Sequence, residues 1–311
     1  MTVLQAEERV PVSLSFFMPI FIYKTGEKQE THMLLSEAWE IYAADKTIER
    51  YSVVTLHNYR IQVNLLIRHF GDIDIETISS LDLKNYLIEK GGHLKPSSLG
   101  QRIRAIRAFF HWASDEGYIE RNPASKFKEP REGSRVPKAL SEEDTELLRE
   151  GCQTLLEHAL VEFAYATGCR VGEIYRLNRN DINWGNKSVI VTGKGQKQRE
   201  VYFNIKCNIW LKKYLSQRTD DDSALFVTIR APHRMSIATI RRIVKKVASQ
   251  SDVESNVYPH ILRHSYATHL LNNGAPMEGI QTLLGHAKLE TTQVYAQLAG
   301  PRRKEIYTKY F

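Results

Sequence analysis

A chain of 311 residues, 42% hydrophobic and 25% charged, holds enough apolar material for two domains with cores of their own. Its formal net charge of +7 favours a polyanionic partner. Three cysteines (Cys152, Cys169, Cys207) with no CxxC pair argue against a disulfide framework and fit a reducing, cytoplasmic setting.

The one targeting candidate, Val10 to Tyr23, is shorter than the roughly 20 apolar residues a bilayer span needs, and two prolines break it. Glu7 and Glu8 precede it where a signal peptide would be basic. Residues 1–30 are therefore read as a strand or arm packed on protein, with no membrane partner.

From about Met33 to Lys128 the apolar residues recur at helical spacing. Leu34, Leu35, Ala38, Trp39 and Tyr42 mark a first helix; Leu56, Tyr59, Val63, Leu66, Ile67 and Phe70 mark a second, closed by Gly71. Ser80 precedes a third helix that Gly91-Gly92 ends. A fourth, Ser98 to Gly117, carries the stripe Leu99, Ile103, Ile106, Phe110 and Ala113. Arg104, Arg107 and His111 fall together away from that stripe, as a groove-tracking or merely solvated face; Trp112 is assigned to the core. Lys126 to Lys138, rich in Pro, Gly and basic residues, reads as a linker.

Ser141 then caps a helix with acids in its first turn. Another helix runs to Ala166 and stops at Thr167-Gly168, and a new one starts near Arg170. Arg170 and Glu173 are i, i+3 neighbours, which at a surface is worth only about 0.3–0.5 kcal/mol. Val189 to Val191 and Arg199 to Phe203 form a β unit, with Lys194 at the hairpin tip between two glycines. Gly-Lys-Gly is not a nucleotide-binding P-loop, because no Ser/Thr follows the lysine into a helix. Helices resume at Trp210 to Leu215 and Ser236 to Val247, the second carrying Arg241, Arg242, Lys245 and Lys246.

The stretch from Tyr258 to Tyr295 gathers the chemistry. Pro259 opens a helix on which His260 and Arg263 share a face beside His264, and Asn272-Asn273-Gly274 stops it. Met277 to Leu284 makes a short helix ending at Gly285, which delivers His286. Thr291 caps a third helix with Tyr295 one turn inside it. Two imidazoles, a guanidinium and a phenol without a carboxylate cluster suggest phosphate chemistry, in which a tyrosine oxygen can be a covalent nucleophile where nearby cations stabilise its charge; the other reading of His-x-x-Arg is a solvated or salt-bridged helix face. His260 and His264 also have zinc-ligand spacing, but no Glu follows His260 and no Cys lies near, so no metal is expected.

Together ATGCRVGEI (166–174), TGKGQKQREV (192–201), HILRHSYATHLL (260–271) and LLGHAKLETTQVY (283–295) closely resemble the tyrosine site-specific recombinases, the phage-integrase family, and among them the compact Xer-type and transposon-encoded members. The resemblance implies a mainly α fold: an N-terminal helical core DNA-binding domain (31–129), a linker (130–138), and an α-rich catalytic domain (139–311) with a small antiparallel β-sheet. It implies a site-specific DNA recombinase that cuts and rejoins strands through a 3′-phosphotyrosyl link, with neither ATP nor metal nor other cofactor. By the same resemblance Tyr295 is the nucleophile and Arg170 and Arg263 hold the phosphate oxygens. Lys194 protonates the leaving 5′ oxygen, His260 assists proton transfer, His286 hydrogen-bonds the phosphate and Glu173 supports Arg170. Arg104, Arg107, His111, Arg241, Arg242 and Lys245 are the candidate DNA contacts. The implied partners are double-stranded recombination sites and three further protomers, in a homotetramer that exchanges its C-terminal tails. Gln297 departs from the family, where His is common, and Tyr307 and Tyr310 lack the Thr-Thr-x-x-Tyr setting. A type IB topoisomerase and a non-catalytic DNA-binding regulator on the same scaffold are the rival readings.

Overall fold

The computed structural model of the chain describes residues 32–131 and 139–285. The N-terminal extension, most of the linker, the segment with His286, Thr291 and Tyr295, and the tail lie outside the described residues. The chain divides into two compact units, one up to Gly133 and one from Ser134.

Among its described residues the N-terminal unit has four α-helices: α1 (Leu35–Ile48), α2 (Val53–Phe70), α3 (Ser80–Gly91) and α4 (Pro96–Asp115). Each start has a local cause. Ser52 Oγ accepts the Thr55 N–H at 3.2 Å, and Ser79, one residue before the expected cap, forms a reciprocal box with Asp82. Helix α4 begins at Pro96 rather than Ser98, because a proline in the first turn arrives with helical φ and no N–H to satisfy. It ends at Asp115, two residues before Gly117.

The stripes of all four helices meet in a core that includes Leu35, Tyr42, Leu66, Leu83, Tyr86, Phe109 and Phe110. The Tyr42 ring stands edge-on to Phe109 and Trp112 at 5.5 and 5.3 Å. Trp112 is buried there and donates Nε1–H to Asp45 Oδ2 at 2.8 Å, which settles it as a core residue. Truncating Phe110 to Ala would cost about 3–5 kcal/mol.

The C-terminal unit runs α5 (Glu142–Glu150), α6 (Leu155–Thr167), α7 (Val171–Arg176), β1 (Ile182–Asn183), β2 (Ser188–Thr192), β3 (Gln198–Tyr202), α8 (Ile205–Ser216), α9 (Ile237–Ser249), α10 (Pro259–Asn272) and α11 (Met277–Leu284). The sheet is antiparallel in the order β1-β2-β3, with Val189 opposite Val201 and Val191 opposite Arg199. Val189, Val191 and Val201 face inward while Ile190 is exposed, the alternation of a sheet covered on one side. Two residues cannot display a period, so β1 had no signature in the sequence.

Helix α6 is buried on most of its surface and packs on α8, α9 and α10. Ser141 and Thr154 cap α5 and α6 through boxes with Asp144 and Glu157. Gly168 ends α6 in the left-handed region at φ 59°, and a Cβ there would lie 2.5 Å from the Tyr266 ring, so glycine is required twice over. A small second cluster of Ala267, Leu271, Ile280 and Leu284 joins α10 to α11. The expected bounds of α11 agree with those found.

Candidate active site

Two residues beyond the Gly168 stop, Arg170 caps α7. Its backbone N–H donates to Glu173 Oε2 at 2.7 Å and its Nη1 to Oε1 at 3.0 Å. Of the two readings open from the spacing, a weak surface pair and a carboxylate that orients the guanidinium, burial excludes the surface pair, since Glu173 is 3% exposed. What makes the burial tolerable is Arg199 on β3, which donates Nη1 to Oε1 at 2.8 Å and Nη2 to Oε2 at 2.9 Å. Burial raises the Glu173 carboxyl, but the Arg199 and backbone hydrogen bonds and the two guanidinium charges outweigh it and hold the group below the usual carboxylate range. Burial likewise acts to lower Arg199, and Glu173 outweighs it.

Arg263 comes one turn into α10 and is 3% exposed. It donates Nη1 to Gly168 O and Nη2 to Leu284 O, both at 2.6 Å. Three arginines thereby reach three successive carbonyls at the end of α11: Arg199 Nε to Leu283 O at 2.8 Å, Arg263 to Leu284 O, and Arg170 Nη2 to Gly285 O at 3.4 Å. Terminal helix carbonyls lack intrahelical partners and carry the negative end of the macrodipole, so cations belong there. Gly285 is left-handed at φ 63°, and a Cβ on it would lie 2.8 Å from Arg199 Cδ. His286, next in the chain, lies outside the described residues, as does Tyr295.

His260 opens α10 on the same side. Its residue surface is open, yet the protein packed behind it desolvates the ring. That desolvation, then the charges of Arg263, Arg170 and Arg241, hold its imidazole below the ordinary range. Burial, His260 and Arg263 do the same to the neighbouring His264. Lys194 sits on the β2–β3 connection, which Gly193 N–H closes onto Lys197 O at 2.8 Å. A methyl placed on Gly193 would lie 3.4 Å from Glu173 Oε1, so this connection begins against the buried carboxylate.

Arg170, Arg199 and Arg263 against Glu173 leave two positive charges in excess on a largely water-excluded floor. Such a floor suits a phosphate. Among the described residues no group of three or more His, Cys, Asp or Glu gathers to hold a metal ion. On α9, Arg241, Arg242 and Lys245 are exposed, whereas Lys246 pairs with Glu157 at 2.8 Å.

A profile of the phage integrase family matches residues 138–301, and one of the phage integrase N-terminal SAM-like domain matches residues 44–117. Over 269 residues the chain is 32% identical to the tyrosine recombinase XerC of Proteus mirabilis, covering 83% of this chain and 88% of that protein. The chain belongs to the phage integrase family of tyrosine recombinases. The recombinase is similarly 32% identical to XerD of Ralstonia nicotianae, over 76% of this chain and 80% of that one. Its fold is similar to that of a lambda integrase chain, from the structure of a lambda integrase tetramer bound to a Holliday junction, at a TM-score of 0.69 and 19% identity, covering 82% of this chain and 78% of that chain. Neither the topoisomerase nor the non-catalytic reading is favoured by these likenesses.

The structure brings Arg170, Glu173, Arg263 and His260 of the recombinase together, with the backbone of Lys194 nearby. It keeps Arg104, Arg107 and His111 in the other unit, exposed along α4. There Arg104 pairs with Glu129 at 3.1 Å and His111 with Asp115 at 3.2 Å. Arg199 was not singled out from the sequence, although a signal existed. It precedes the inward-facing Val201 by two residues on one strand, which puts a charge in an inward-facing position.

Proposed function

We propose that the recombinase cleaves one DNA strand by attack of the Tyr295 hydroxyl on a scissile phosphate. The Tyr295 oxygen–phosphorus bond forms, the bond to the 5′ oxygen breaks, and a 3′-phosphotyrosyl link remains. Arg170 and Arg263 hold the non-bridging oxygens, and His286 donates to one of them. Neutral His260 takes the phenolic proton, and Lys194 gives one to the departing 5′ oxygen. Glu173 orients Arg170. The link conserves the energy of the broken ester, so a new 5′ hydroxyl can reverse the step without ATP.

The observation that supports this reading best is the convergence of Arg170 and Arg263, 93 residues apart, on the end of α11 directly before His286. Preorganised cations in a water-poor site stabilise charge that develops in the transition state.

The helical unit 31–129 is read as the core DNA-binding domain, with 130–138 as linker. Arg104, Arg107 and His111 there, and Arg241, Arg242 and Lys245 on α9, are read as backbone contacts. Assembly is read as a homotetramer on paired sites that exchanges its tails, in the cytoplasm. The test is a target duplex nicked near the cleavage point, so that the cut fragment diffuses away and the adduct is trapped. A DNA-linked peptide containing Tyr295 is expected. A link to Tyr307 or Tyr310 would overturn the assignment.

A further inference from the structure

Arg199 has no part in the reading above, yet it holds Glu173 and the end of α11. It leaves β3 on the inward face, and its side chain is 11% exposed. Its two Nη groups occupy one position on each Glu173 oxygen, and its Nε is anchored on Leu283 O at 2.8 Å. The Glu173 carboxylate thus takes four N–H donors, two from Arg199 and two from Arg170. Arg170 gives the carboxylate its backbone N–H and one Nη1 contact. Among the described residues its Nη2 reaches Gly285 O alone, at 3.4 Å, a long contact that a phosphate oxygen can replace.

The charge count gives this arrangement its meaning. One carboxylate between two guanidinium groups is neutralised by the one that holds it bidentately. Without that partner, Glu173 would draw Arg170 alone and cancel its charge.

We infer that Arg199 is a positioning residue for strand cleavage: it takes up the charge of Glu173, so that Arg170 keeps its own charge and its Nη2 for the scissile phosphate. This rests on the proposed role of Arg170. A lysine at 199 preserves the charge but is a point donor, unable to bridge both carboxylate oxygens and Leu283 O together.

The experiment measures DNA affinity, melting and single-turnover cleavage for Arg199→Lys, Arg170→Lys and the double variant. Arg199→Lys should bind DNA as the wild type does, because affinity is spread over many phosphates. Its cleavage should slow roughly 100-fold, the scale of a small misplacement at a reacting centre. The loss should shrink on a methylphosphonate at the scissile position, where an oxygen charge is missing. The double variant should be no slower than Arg170→Lys, since both changes act through one group. Wild-type cleavage by folded Arg199→Lys, or losses that multiply in the double variant, would overturn the inference. Should Arg199→Lys not fold, Glu173→Gln/Arg199→Gln removes both charges of the pair together. It should cleave faster than Arg170→Lys, and a rate equally low would also overturn the inference. If Arg170→Lys itself cleaves at the wild-type rate, the reading of Arg170 fails instead.

Discussion

The backbone N–H of Leu140 donates to Ser265 Oγ at 2.8 Å, while its carbonyl lies 2.9 Å from His269 Nε2. Leu140 follows the linker, and Ser265 and His269 belong to the helix that carries His260 and Arg263. The other ring nitrogen of His269 meets Tyr165 OH at 2.6 Å, so the ring spans from α6 to Leu140. Ser265→Ala would leave the buried Leu140 N–H without its acceptor, at a cost of about 1–3 kcal/mol. A lowered melting transition of the C-terminal unit is expected, and an unchanged one would show that the N–H finds another acceptor.

Lys194→Ala should slow cleavage of an ordinary phosphodiester far more than that of a substrate with sulfur at the 5′ bridging position. A thiolate departs without a proton, so loss of a general acid hardly matters there. Parallel slowing on both substrates would reduce Lys194 to a phosphate-binding charge.

His260 should titrate below 6.5 in the free protein, as followed by the NMR shift of its ring. Arg241→Gln should move that midpoint upward, because one of the depressing charges is gone. The unfolded chain then takes up the proton first. The group therefore costs no stability above about pH 6.5, and stability falls as the pH drops from there to the folded midpoint. A midpoint at or above 6.5 would contradict the crowding of this ring by guanidinium groups.

DNA affinity should fall with salt, log K changing with log[salt] by about −0.9 for each phosphate neutralised. Arg107→Ala should reduce the slope by about one such unit if α4 follows the DNA backbone. Arg104→Ala should change it less, since part of that charge is already shared with Glu129. An unaltered slope for Arg107→Ala would leave α4 as a solvated face.

Deleting Pro301 to Phe311 should preserve single-site binding and abolish the four-protomer complex on paired sites. Ile306 and Tyr310 are four apart in the sequence, a spacing that on a helix would give the tail one apolar side to dock. Light scattering on paired sites gives the particle mass. A truncated protein that still forms tetramers would reject exchange between protomers, and one that melts much earlier as a free monomer would indicate docking on its own unit.

What could be read from the sequence was local. Pro259, Gly168, Gly274 and Gly285 announce the ends of helices because φ is decided within a residue or two. The cap at Ser141 works over three residues. Arg199 escaped because its partners are far away: Glu173 is 26 residues back and Leu283 84 residues on. For the same reason the Arg170–Glu173 pair was legible as a pair but not as a buried one. Periodicity found the helices of the first unit and put Trp112 in the core, but its partner Asp45, 67 residues back, came only with the packing.

All three cysteines of the chain are free and buried. Burial pushes Cys152 and Cys169 up to about 12 and Cys207 well above its ordinary value. Thiol reagents attack the thiolate, so at neutral pH the folded protein is nearly silent towards them. A cysteine introduced at an exposed position in each unit, Arg107→Cys on α4 and Lys245→Cys on α9, would then be the pair of sites that a maleimide dye finds. The native thiols need not be removed first, and Cys169, beside Arg170, can stay in place. The chain comes ready for a fluorescence ruler between its two halves, one that reads their separation as DNA is added.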